Sequence, residues 1–346
     1  MAPRAFISGL SGTDITPDER NFFREAEPWG LILFKRNISD PRQVTELTSA
    51  FRSIVGLDAP VLVDQEGGRV QRLTAPHWPL YPPGQAYSSA YDRDAAAGLA
   101  VARLGGRLIA NDLRAVGIDV DCLPLADVPA AGADPVIGDR AYGTTPDKVA
   151  AIAGAIARGL ANGGVLPVLK HLPGHGRAAA DSHASLPVVG TDRETLELTD
   201  FAAFRSLARL PLGMTAHVVF SAIDSTAPAT TSATMVREVI RGFIGFQGLL
   251  MSDDISMGAL SGTLGERSRA AIAAGCEVVL HCNGKLDEMR QVADAVPRLA
   301  GAAAQRADAA LAARRNPGEF DAVAGRKVFT DMLAPFWQAA QQAASA

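Results

Sequence analysis

The sequence predicts a (β/α)8 barrel of the TIM type, on three observations. Short apolar runs alternate with longer helical patterns along the 346 residues. Eight of these runs end in ionisable or polar side chains. The length suits one barrel-sized domain with added terminal helices. Parallel strands buried on both faces read as unbroken hydrophobic stretches, and the loops at their C-terminal ends carry the chemistry of a barrel. A doubly wound open sheet is the alternative. It would want a Gly-rich nucleotide loop after the first strand, and none is present.

Residues 5–8 form a first strand and 29–34 a second. Asp40 then caps a helix with Pro41 at its first position, and 43–55 carry the helical period. The third strand, 60–64, ends in Asp64-Gln65-Glu66-Gly67-Gly68-Arg69. A loop rich in Pro, Tyr and Ser leads to an Ala- and Leu-rich helix over 92–116. Strand four spans 118–127, followed by the loop Val136-Ile137-Gly138-Asp139-Arg140 and a helix over 146–162. Strand five, 165–169, breaks into the loop Lys170-His171-Leu172-Pro173-Gly174-His175-Gly176, which runs on to Asp181-Ser182-His183. A helix over 192–207 precedes strand six, 212–220, with His217 near its end. Strand seven, 249–252, ends in Asp253-Asp254, and strand eight spans 277–282. Ala-rich helices over 286–313 and 327–344 follow. Residues 1–346 thus read as one barrel domain whose helical extension covers about 300–346.

Composition narrows the function. A net charge of −4 without any basic run argues against a nucleic-acid surface. No stretch approaches the roughly 18 apolar residues of a membrane span, and the apolar run at the N-terminus is too short for a signal peptide. Cys122, Cys276 and Cys282 are an odd number without zinc-ligand spacing, which fits core thiols in a reducing, cytoplasmic setting. No cofactor is expected.

The strand ends gather Asp64, Arg72, Asp127, Arg140, Lys170, His171, His175, Asp181, His183, His217 and Asp253. In a barrel these converge on one mouth. Carboxylates mixed with Arg, Lys and His donors suit a polyhydroxylated ligand, whose hydroxyls want acceptors and charged donors together. Asp253 directly follows an apolar strand, where a carboxylate is costly without a purpose or a partner. It reads as a nucleophile or as the electrostatic partner of a developing cation, whereas Asp254 fits a capping role. Asp181, two residues before His183, can fix that imidazole's tautomer and charge. A zinc site built from His171, His175 and His183 is a further possibility, although Lys170 would set a positive charge beside the metal.

Lys170–Gly176 with Asp181-Ser182-His183 resembles the hallmark of glycoside hydrolase family 3. Within it, the likeness is to the single-domain bacterial β-N-acetylhexosaminidases of peptidoglycan recycling. It extends to Asp64–Arg72, to Val136–Arg140, to Ala216-His217-Val218, to Ser252–Met257 and to Cys282-Asn283. Leu172 departs from the family's usual Phe, a difference of packing. The resemblance implies release of terminal β-linked N-acetylglucosamine with retention of configuration. By resemblance Asp253 takes the nucleophile position, His183 the acid/base position and Asp181 the place of its dyad partner. Asp64, Arg72, Arg140, Lys170 and His171 take the positions that hold the sugar's hydroxyls. The partner implied is a muropeptide-type sugar, with no metal, nucleic acid or membrane, and a monomer or weak homo-oligomer. Phosphorolysis on the same scaffold, or sugar binding without catalysis, are the competing readings.

Overall fold

Eight parallel strands close into a barrel in the computed structural model, which describes residues 2–56, 58–182 and 185–344. In chain order they are β1 Arg4–Ser8, β2 Pro28–Leu33, β3 Val61–Val63, β4 Val120–Asp121, β5 Leu166–Leu172, β6 Leu212–Thr215, β7 Leu249–Asp254 and β8 Val278–His281. Each pairs with its sequence neighbour, and β1 meets β8 through Phe6 opposite Val279. The barrel strands are buried except at the ends of β1 and β7, which is why they read as apolar runs in the sequence.

Two strands depart from expectation where the site lies. β5 continues through Lys170 and His171 to Leu172, rather than ending at residue 169. Its ladder with β6 slips register between Leu169 and Leu172, and the peptide bonds 170–171 and 172–173 are cis. β7 slips against β8 between Met251 and Asp254. Irregularities of this kind re-aim side chains at barrel rims. Here they fall at Lys170-His171 and at Ser252-Asp253. β4 is the opposite case. Only Val120–Asp121 of the expected 118–127 form a regular strand, although pairing with β5 resumes at Leu125, opposite Lys170, beyond Pro124, which has no N–H to offer the ladder. Likewise 219–220 leave β6 and pair with 188–189 in a small separate sheet.

Several helices are shorter than their periodicity suggests. The helix expected over 92–116 runs Ala95–Arg114, capped by the Asp94 carboxylate through Ala97 N (3.0 Å), and the expected loop before it holds a further helix, Gly84–Arg93. Thr199 splits 192–207, and Pro297 lies in the break between Leu286–Ala295 and Gly301–Ala312. Helices Pro17–Ala26 and Leu264–Ala274, absent from the sequence reading, each begin with a capping box, Thr16/Glu19 and Thr263/Glu266. The C-terminal helix Ala322–Ala344 packs on helices Gly84–Arg93 and Ala95–Arg114. Phe329 lies against Tyr81 and Tyr87, and Arg326 pairs with Asp112 at 2.9 Å. Among the described residues no helix is long and apolar enough to cross a membrane.

Candidate active site

The irregular ends of β5 and β7 open onto a cavity of about 440 Å³ at the C-terminal mouth of the barrel. Asp64, Arg72, Arg140, Lys170, His171, Asp181 and Asp253 all line it. The eighth expected site residue, His183, lies outside the described residues.

A charge cluster makes one wall. Lys170, its side chain 3% exposed, donates to Asp64 Oδ1 at 3.0 Å and pairs with Glu66 Oε1 at 2.6 Å. Arg72 donates to Asp64 Oδ2 at 2.9 Å and stands over the Phe34 ring, 5.3 Å from its centroid. Arg140 forks onto Glu66 with two bonds of 2.8 Å, the planar match that gives guanidinium–carboxylate pairs their strength. Burial would raise both carboxyls. Lys170 and Arg72 outweigh it at Asp64, holding that carboxyl well below its usual range. Arg140 and Lys170 hold Glu66 at about 2. Asp64 and Glu66 in turn push Lys170 upward against its own desolvation. The cluster is therefore fully ionised at neutral pH, with three cations for two anions.

Glu66 was not among the residues expected from sequence. The signal was its spacing from Asp64, since side chains two apart on extended backbone share a face. Residues 65–67 continue as a short strand paired with 70–71 instead of turning at once.

Asp253 stands at the end of β7, half-buried. Its Oδ1 accepts the Asp254 N–H (2.8 Å). Burial favours the neutral acid, but His217, His171 and that N–H together prevail and lower its pKa. Asp253 is an anion at neutral pH, facing the cavity. Asp254 also borders the cavity, but its carboxylate is taken up by backbone and hydroxyl partners. Its Oδ1 accepts Ser256 N and Cys282 N, and its Oδ2 accepts Ser256 Oγ (2.7 Å), tying the end of β7 to the end of β8.

Three histidines are held in place around this floor. His171 Nδ1 meets Asp127 Oδ2 at 2.7 Å, which leaves its Nε2 as the ring's other polar atom. His217 Nε2 lies 3.0 Å from the Asp254 carbonyl and Nδ1 2.7 Å from Thr230 Oγ1. A carbonyl can only accept, so Nε2 carries the proton. Burial lowers the His217 pKa while the Asp253 carboxylate opposes it, and the ring braces the strand that bears Asp253. His175 Nε2 contacts Ser182 Oγ (3.0 Å). Among the described residues no group of three His, Cys, Asp or Glu side chains is arranged to hold a metal ion. Leu172 is buried against Gly213, where a Cβ would meet Leu172 Cδ1 at 2.7 Å.

Residues 11–313 match the glycosyl hydrolase family 3 N-terminal domain. The chain belongs to that family. A β-hexosaminidase of Alkalilimnicola ehrlichii is 42% identical over 281 residues, 80% of this chain and 80% of the relative. NagZ of Neisseria gonorrhoeae superposes with a TM-score of 0.83 at 31% identity, covering 97% of this chain and 98% of that one. A family 3 β-N-acetylglucosaminidase from Paenibacillus sp. gives a TM-score of 0.84 at 28% identity; the match covers 95% of this chain and 66% of that longer one.

The charge wall of this family 3 hydrolase should also shape its acid stability. Glu66 is depressed to about 2 in the fold, against about 4.3 when unfolded. A depressed carboxyl contributes stability that is complete above its unfolded pKa and lost as pH falls through the folded value. The urea midpoint should therefore fall between about pH 4 and pH 2, and the fall should be shallower in Glu66→Gln. Parallel curves for the two proteins would show that Glu66 does not carry this dependence.

Proposed function

We propose that this glycoside hydrolase removes terminal, non-reducing β-N-acetylglucosamine from peptidoglycan fragments, N-acetylglucosaminyl-anhydromuramic acid and its peptides, with retention of configuration. The observation that carries the reading is an ionised Asp253 facing a sugar-sized cavity whose opposite wall is a fixed array of charged donors and acceptors. The β-hexosaminidase and β-N-acetylglucosaminidase relatives support the choice of sugar.

Asp253 attacks the anomeric carbon as the bond to the aglycone oxygen breaks, and His183 gives that oxygen its proton. Water then attacks the same carbon, loses a proton to His183 and releases the Asp253 carboxylate. Two displacements on one carbon restore the starting configuration. A negative Asp253 also stabilises the oxocarbenium-like transition states on either side of the adduct. Histidine suits the second role because its ordinary pKa of about 6.5 lets it give and take a proton near neutrality. Asp181, on the cavity wall, favours the imidazolium and so helps the first step. Asp64, Arg72, Arg140, Lys170 and His171 bind the sugar's hydroxyls. Free thiols at Cys122, Cys276 and Cys282 are in keeping with a cytoplasmic setting.

The disaccharide N-acetylglucosaminyl-anhydromuramic acid tests this reading, with the first-formed anomer followed by NMR. Release of β-N-acetylglucosamine before mutarotation is the expected result. An α product would exclude the double displacement, and no cleavage of the disaccharide would exclude the substrate class. Turnover that requires phosphate would point to phosphorolysis instead.

A further inference from the structure

Ser182 stands between the two residues assigned to proton transfer, yet it is only 3% exposed. Its Oγ lies 3.0 Å from His175 Nε2. Its carbonyl accepts the N–H of Ala259 (3.2 Å), in the segment that follows β7. His175 is fixed from the other side. Its N–H donates to Asp127 Oδ1 at 2.7 Å, and the second oxygen of that carboxylate takes His171 Nδ1. The rings of His171 and His175 meet edge-on, 5.8 Å between centroids. One carboxylate thus anchors both a cavity-lining histidine and the histidine that grips the Asp181–His183 segment.

A hydroxyl buried this deeply is costly unless it is paired, and a residue needed only to join two others could have stayed at the surface. With Ser182 turned inward, its neighbour Asp181 lines the cavity. The segment's root is pinned as well. Arg177 donates to Asp200 Oδ2 (2.5 Å) and Thr199 Oγ1 (2.9 Å), and Gly176 packs so closely on Val128 that a Cβ would lie 2.1 Å from its carbonyl oxygen.

We propose that the His175–Ser182 contact is a latch that transmits the placement of the Asp127–His171 floor to the Asp181–His183 segment, making His175 and Ser182 positioning residues for protonation of the leaving group. This rests on His183 being the acid/base, as set out above. Burial and the neighbouring His171 lower the His175 pKa. Its Nδ1 is buried without a hydrogen-bond partner among the described residues, so a second ring proton would find no acceptor there. The latch stays neutral and closed across the working range.

The test is kcat/KM on a series of aryl N-acetyl-β-glucosaminides with good to poor leaving groups, for wild type, Ser182→Ala, Ser182→Thr and His183→Ala. Losing one neutral hydrogen bond corresponds to about tenfold at most. Ser182→Ala should lose roughly that factor on the poorest leaving groups and under about twofold on the best, through kcat with KM unchanged. Ser182→Thr, which keeps the hydroxyl, should recover most of it. Removing one oxygen atom leaves the barrel folded, which melting midpoints measured alongside verify. A loss equal for all leaving groups, or none for any, would overturn the latch while His183→Ala still showed its slope. A flat series for His183→Ala would sink the acid/base reading itself and take the latch with it.

Discussion

Replacing Asp253 by Ala should reduce turnover on the order of 10⁴-fold or more, the scale seen when a covalent nucleophile is deleted, with the fold intact. The two effects separate because of how the residue is held. Its carboxylate accepts a hydrogen bond from the adjacent Asp254 N–H and otherwise faces the cavity, so the barrel has little to lose. Asp254→Ala should do the reverse. That carboxylate joins the ends of β7 and β8 through Ser256 and Cys282, and its loss should lower the melting midpoint with a smaller effect on turnover. Steady-state kinetics and thermal melts on the two variants would distinguish the roles. Similar activity losses in both would mean that the pair acts jointly, as it would if the substrate's acetamido group were the nucleophile.

The largest stability effect belongs to Lys170→Met. The side chain is 3% exposed and touches both Asp64 and Glu66. Taking one partner out of a buried ionic cluster costs about 3–5 kcal/mol, because the remaining charges lose their compensation. For a chain of this size that is roughly 4–7 °C in melting midpoint. Arg72 and Arg140 keep each carboxylate partly satisfied, which puts the expected cost toward the lower end. Their pKa values should also rise toward the ordinary range, so the variant should lose stability at higher pH than wild type. Lys327→Met provides the contrast, since its pair with Asp331 is exposed at 79% and 63%, and such pairs contribute little. Equal melting midpoints for the two variants would contradict the burial argument.

The barrel was legible because parallel strands buried on both faces leave long aliphatic runs, and those runs stop where side chains meet the mouth. What was not legible has physical causes. Lys170 and His171 look like loop residues in sequence, yet they complete β5, because the Lys170 charge is met inside the cluster and the His171 ring is hydrogen-bonded to Asp127. Glu66 was hidden for the same reason. Its spacing from Asp64 was the one local signal; its partners, Arg140 and Lys170, lie 74 and 104 positions away. Helix ends failed where one residue decides the break: Asp94 ends one helix and caps the next at the head of the Ala-rich period, and Pro297 interrupts another. Helices Pro17–Ala26 and Leu264–Ala274 carried their capping boxes openly, as Thr16–Glu19 and Thr263–Glu266. Their polar outer faces masked the apolar stripe.

The central claim is that one carboxylate forms a bond to the sugar. Incubation with a 2-fluoro-sugar fluoride, followed by proteolysis and peptide mass spectrometry, tests it most directly. The account predicts a single glycosyl adduct on the peptide from the end of β7, localised to Asp253 and absent in Asp253→Ala. An adduct on Asp64, Asp181 or Asp254 would contradict it, as would an unmodified enzyme that releases an inverted product.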